Sequence, residues 1–139
     1  MAIQRFIIVV FIATTLFSMA SAVPGVATYY TVYVPSACYG FEDQGTMIAA
    51  ASEALWNNGA VCGRRYRVTC TGPTNQGVPQ PCRGGSVTVR VVDRCPGCAA
   101  NGLDLSLEAF SAIADPAAGR INIDYADQGA EGCVLAISA

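Results

Sequence analysis

Residues 86–93 read SVTVRVVD, and the alternation places Val87, Val89 and Val91 on one face of an extended segment. Three β-branched side chains on one face, with Thr88 and Arg90 on the other, describe a strand packed on one side against a core. Upstream, residues 64–70 (RRYRVTC) alternate polar and apolar side chains in the same way, so a second strand is expected there. Residues 26–34 (VATYYTVYV) are rich in β-branched and aromatic residues and stop at Pro35, which predicts a third. Residues 46–56 (TMIAAASEALW) carry Ala, Leu, Met and Glu, a composition that predicts a short helix or turn ended by Asn57-Asn58-Gly59. Residues 71–85 hold three of the seven prolines and four glycines and read as loop. Downstream, residues 103–114 (LDLSLEAFSAIA) predict a short helix with Ser106 as N-cap and Leu107, Phe110, Ile113 and Ala114 on one stripe. Gly119-Arg120 then turns into a last pair of strands over 121–125 and 134–137. Many short strands, one or two short helices and no repeat predict a mainly β, all-β-class barrel in one domain.

The first residues bear on the compartment. Arg5 precedes an apolar run over residues 6–16 (FIIVVFIATTL), and Ala20-Ser21-Ala22 supplies a small-residue cleavage pattern. A secretory leader over residues 1–22 and a secreted, extracellular domain over 23–139 are therefore expected. The run is shorter than the roughly 20 residues that a spanning helix needs, so no membrane span is expected.

All seven cysteines (Cys38, Cys62, Cys70, Cys82, Cys95, Cys98 and Cys133) follow that leader. Such density in a short secreted chain reads as a disulfide framework, and an odd count leaves one thiol unpaired or bonded to another molecule. Cys95-Pro-Gly-Cys98 has the spacing of half a zinc site, but no second half follows and the chain has no histidine. No metal or cofactor is expected. Nor does a βαβ pattern surround the pair, as a redox motif would require.

Eight basic and ten acidic residues give a net charge of −2, and every basic residue is arginine. A mildly acidic chain has no electrostatic reason to seek nucleic acid. The absence of histidine excludes Ser-His and Cys-His nucleophilic pairs, and the absence of lysine excludes Schiff-base chemistry. What remains is carboxylate chemistry, or binding without catalysis. Two carboxylates stand out: Asp93, which ends a buried strand, and Asp104, which lies between Leu103 and Leu105. A carboxylate among apolar neighbours can have a raised pKa and act as a general acid. The simpler alternative makes Asp104 an acceptor for backbone amides at the start of the following helix.

Several motifs occur in order along residues 25–125. They are Gly25-x-Ala27-Thr28-Tyr29-Tyr30, Ala37-Cys38-Tyr39-Gly40, Asn58-Gly-Ala-Val-Cys62-Gly63, Val91-Val-Asp93, Leu103-Asp104-Leu-Ser106 and Ala118-Gly-Arg-Ile-Asn-Ile123. As an ordered set they resemble the first domain of expansins and the family-45 glycoside hydrolases. That resemblance implies a six-stranded double-psi β-barrel, stabilised by disulfides. The segment Cys62-Gly-Arg64-Arg65-Tyr66-Arg67-Val68 is most similar to the plant natriuretic peptide group, where expansins commonly carry a second cysteine in place of Arg65.

The resemblance implies a polysaccharide groove built from Thr28, Tyr30, Asp93 and Asp104. Asp104 matches the general acid of the hydrolases, but residues 28–35, where those enzymes carry the base, offer only hydroxyls and apolar groups. Catalytic residues are therefore not assigned and no enzyme is expected. Cys95 stands where a Tyr or Phe is common. For the natriuretic-peptide group, the resemblance implies peptide-like signalling through the segment from Cys38 and Cys62 to Arg64, Arg65, Tyr66 and Arg67. Guanidinium groups beside a tyrosine would make a contact patch for an acidic partner. It also implies the pairs Cys38–Cys62 and Cys70–Cys82, with Cys95–Cys98 a tight local loop, Cys133 left over, and Cys98–Cys133 the alternative. The expected protein is a monomer in the apoplast, signalling through a cell-surface receptor to affect water and ion balance. The rival is a wall-polysaccharide binder or loosening factor.

Overall fold

The structure is a computed structural model that describes residues 21–130. The leader run, its cleavage pattern as far as Ala20, Cys133 and the expected strand over 134–137 lie outside the described residues. Six strands close into a barrel in the order β1-β5-β2-β4-β3-β6. They are β1 (Val23–Tyr30), β2 (Ile48–Ser52), β3 (Arg64–Pro73), β4 (Val87–Cys95), β5 (Gly102–Ser106) and β6 (Ile121–Ala130). The β1–β5 and β2–β4 pairs are parallel and the other contacts antiparallel. With the motif order above, this is the six-stranded double-psi barrel that the resemblance implies.

The core follows from alternation. Ala27, Ala49, Ala51, Val68, Val89, Val91, Leu103, Leu105, Ile121 and Ile123 point inward and are almost wholly buried. Each Val, Leu or Ile so buried contributes about 1.5–3 kcal/mol. Helix α2 (Leu107–Ile113) closes one side of the barrel, setting Phe110 against Tyr29 with ring centroids 4.9 Å apart. Ser106 caps it as expected, its hydroxyl oxygen accepting from Ala109 N at 3.0 Å while its O–H donates to Thr46 O.

Three expectations are corrected here. Residues 48–52 form a strand, IAAAS, with every residue buried, and only Glu53–Trp56 are helical (α1). Alanine favours helices in isolation, but β2 is paired along both edges, with β4 on one side and β5 on the other, and this long-range pairing overrides the local preference. Likewise residues 103–105 belong to β5, so α2 begins only after the cap. The first strand also lies further upstream than its composition implied, ending at Tyr30 rather than Val34.

Three disulfides tie the outside. Cys38–Cys62 fastens the β1–β2 loop to the segment before β3, Cys70–Cys82 holds the Pro-rich loop against β3, and Cys95–Cys98 closes the turn after β4. These are the pairs named from the resemblance.

Candidate functional site

Strand register assembles the site. Asp93 on β4 is the partner of Ala50 on β2, Ala50 is the partner of Asp104 on β5, and Asp104 is the partner of Thr28 on β1. The four residues form one row across four neighbouring strands. Strands lie about 4.8 Å apart, so the backbones of Asp93 and Asp104 are separated by roughly 9–10 Å, with Ala50 as the floor between them. Asp93 reaches this face because of a bulge. Val91 pairs with Ala49 and Asp93 with Ala50, which leaves Val92 as the extra residue. Were β4 regular here, with Val92 opposite Ala50, the alternation begun at Val87 would turn Asp93 toward the core.

Each polar group has a defined partner or a defined lack of one. Thr28 Oγ1 donates to Asp104 Oδ1 at 2.8 Å. Asp104 is therefore held by a side chain across the strands and does not cap the helix, a task that falls to Ser106. Burial pushes the Asp104 carboxyl above its ordinary range and the charge of Asp93 adds to this, while the Thr28 hydrogen bond opposes it. Asp93 Oδ1 accepts from the backbone of Ala37 at 3.0 Å and of Arg94 at 2.9 Å, so it anchors the β1–β2 loop. Tyr30 lies two residues beyond Thr28 on the same face. Its hydroxyl is the one buried side-chain polar atom without a hydrogen-bond partner among the described residues. Burial, then the charges of Asp93 and Asp104, push its pKa far up, so the phenol stays protonated. The four groove candidates thus come together on one surface.

The groove has two ends. Beyond Thr28 lies a hollow of about 140 Å³ lined by Val26, Cys95, Cys98, Leu103 and Arg120. Beyond Tyr30, Tyr33 packs edge-on against it with ring centroids 5.3 Å apart and donates its hydroxyl to Glu108. Ala50, Tyr33 and the anchoring role of Asp93 were not among the sequence candidates. Only the strand assignment of residues 48–52 would have revealed the first.

The arginine segment is placed elsewhere, on β3 between β4 and β6. Strand alternation divides it. Tyr66 points into the barrel, buried and edge-on to Tyr125 at 5.4 Å, while Arg65 and Arg67 are exposed. Arg64 donates to Asp127 Oδ2 at 2.7 and 2.9 Å, and Arg67 Nε donates to Ser86 Oγ at 2.8 Å. A surface here is made by arginines without the tyrosine. Among the described residues no group of three or more His, Cys, Asp or Glu is arranged to hold a metal ion. No helix among them is long and apolar enough to cross a membrane.

Comparison with known proteins agrees with this geometry. Residues 48–125 match a double-psi β-barrel family model described as "Lytic transglycolase". An EG45-like domain containing protein from Citrus jambhiri is 63% identical over 110 residues, 78% of this chain and 83% of that protein. A putative EG45-like domain containing protein 1 from Arabidopsis thaliana is 55% identical over 84% of this chain and 95% of its own. Among solved structures, apo-expansin from Clavibacter michiganensis superposes with a TM-score of 0.62 at 33% identity, over 77% of this chain. A mutant of that expansin in complex with cellohexaose gives 0.60 at 31% identity. The chain spans half the length of that expansin. The matched barrel, the high identity to EG45-like proteins and the expansin superposition place the chain in the EG45-like family of expansin-like double-psi β-barrel proteins.

Proposed function

We propose that this protein is a secreted wall protein that binds an extended polysaccharide along the β1–β5–β2–β4 face and does not cleave it. The row of Thr28, Asp104 and Asp93 on one face carries the reading. Two carboxylates and a threonine hydroxyl set side by side next to Tyr30 offer acceptors for the hydroxyls of a sugar. The superposed expansin mutant bound to cellohexaose supports a glycan as the ligand class. The partners of the carboxylates support binding without cleavage. An inverting hydrolase needs a free base some 6.5–9.5 Å from its acid. Asp93 is the other carboxylate in the row, and one of its oxygens already holds two backbone amides.

A pull-down on insoluble cellulose tests the reading. Retention of the full chain and its loss in Asp104→Asn are expected, with no reducing ends released from soluble β-glucan. Sugar release by pure protein would overturn the non-cleaving part. Leader removal after Ala22 and delivery to the apoplast belong to the same proposal, and N-terminal sequencing of protein recovered outside the cell checks them.

One observation favours a second reading, natriuretic-peptide-like signalling. Outside the groove, a hollow of about 430 Å³ is lined by Gln44, Thr46, Met47, Arg65, Thr88 and Arg90. Arginines on such a surface suit an acidic site on a cell-surface receptor. Protoplast swelling separates the two: under this reading Arg65→Ala with Arg67→Ala abolishes the response, and Asp104→Asn leaves it intact.

A further inference from the structure

The groove does not stop at Tyr30. Next to it lies a hollow of about 370 Å³ lined by Tyr33, Val34, Ser36, Phe41, Ile48 and Val92, with Glu42 and Asp43 also on its wall. This volume falls within the range of about 300–1,000 Å³ usual for small-molecule sites. One contact and two strand neighbours place it beside the groove. Tyr33 packs on Tyr30, Ile48 lies two residues before Ala50 on the same strand face, and Val92 is the bulge residue beside Asp93.

Phe41 is 82% exposed on this wall. A large aromatic left in water is worth explaining when the loop that carries it is held firmly. That loop is fastened by Cys38–Cys62, by Cys38 N to Val92 O at 3.0 Å, by the Ser36–Gly40 bridge and by Ala37 N to Asp93. Asp43 Oδ1 accepts from Gly45 N at 2.8 Å, which fixes the turn after Phe41. The backbone that carries the ring is therefore preformed, and only the side chain needs ordering when it binds. The lining holds two carboxylates and no cation.

Resting on the groove reading above, we infer that this hollow is a second sugar subsite, with Phe41 stacking on the apolar face of an uncharged pyranose further along the same glycan. Glu42 and Asp43 accept hydrogen bonds from sugar hydroxyls there and repel a uronate.

Calorimetry of the full chain with cellobiose, cellotriose, cellohexaose and trigalacturonate tests this. In the wild type, affinity rises with glucan length and trigalacturonate binds more weakly than cellotriose. Phe41→Ala removes the gain for cellohexaose, roughly three- to tenfold, and leaves cellobiose unchanged. Glu42→Gln with Asp43→Asn raises affinity for trigalacturonate, and the Asn keeps the acceptor for Gly45. Length-independent affinity, or a Phe41→Ala variant equal to wild type on cellohexaose, overturns the subsite while the groove reading stands. No binding of any glucan by the wild type overturns both.

Discussion

Asp104 carries a carboxyl between two core leucines, and its ionisation is set by competing neighbours. Burial and the charge of Asp93 outweigh the hydrogen bond from Thr28, so its pKa is raised in the folded chain. The folded state thus holds a proton that the unfolded state releases near the ordinary carboxylate value of 3.8. Below that value both states are protonated and Asp104 brings no penalty. As pH rises from there through the raised folded value, stability is lost, and the loss is complete above it. Thermal melts across this window should show wild-type Tm falling relative to Asp104→Asn as pH increases; parallel curves would contradict it. The motif Leu-Asp-Leu-Ser made Asp104 visible in the sequence. The orientation of Asp93 was not, because the Val91-Val92 doublet interrupts the alternation of β4 without stating that Val92 is an extra residue that turns Asp93 outward.

At the scale of elements, the barrel depends on close approach that small residues permit. A Cβ on Gly25 of β1 would lie 2.1 Å from the carbonyl oxygen of Asn101, whose loop also accepts from Val26 N. Gly25→Ala is expected to destabilise by roughly 1–3 kcal/mol in urea unfolding, through overpacking. Ala51→Leu should do the same, because Ala51 points into the core and is fully buried. Ala50→Leu, by contrast, fills the groove floor between Asp93 and Asp104, so its main effect should be lost glycan retention. Strands β3 and β4 were legible because one face of each is apolar and the other polar. Strand β2 was not, since three consecutive alanines carry helix propensity and no alternation. Only contacts distant in sequence decide such a segment.

For the whole molecule, the three cross-links among the described residues, set outside a small core, shape its stability. In the chain-entropy model, loops of 24, 12 and 3 residues contribute about 3.5, 3 and 1.5 kcal/mol for Cys38–Cys62, Cys70–Cys82 and Cys95–Cys98. Replacing Cys38 and Cys62 together with alanine should therefore lower Tm more than replacing Cys95 and Cys98. It should also weaken glycan binding, because the loop from Ala37 to Phe41 loses one of its anchors. The barrel itself was legible from ordered motifs spread over residues 25–125. The groove's extent was not, since Tyr33 and Phe41 reach it through a loop whose path no local pattern states. Under the proposed function the row Thr28–Asp104–Ala50–Asp93, with Tyr30 beside it, binds a neutral glucan. Backbone amide NMR of the full chain titrated with cellohexaose checks this residue by residue. Shifts should concentrate on residues 28–30, 50, 93 and 104 and vanish in Asp104→Asn. Unchanged spectra, or shifts confined to Arg65, Arg67 and Arg90, would contradict it.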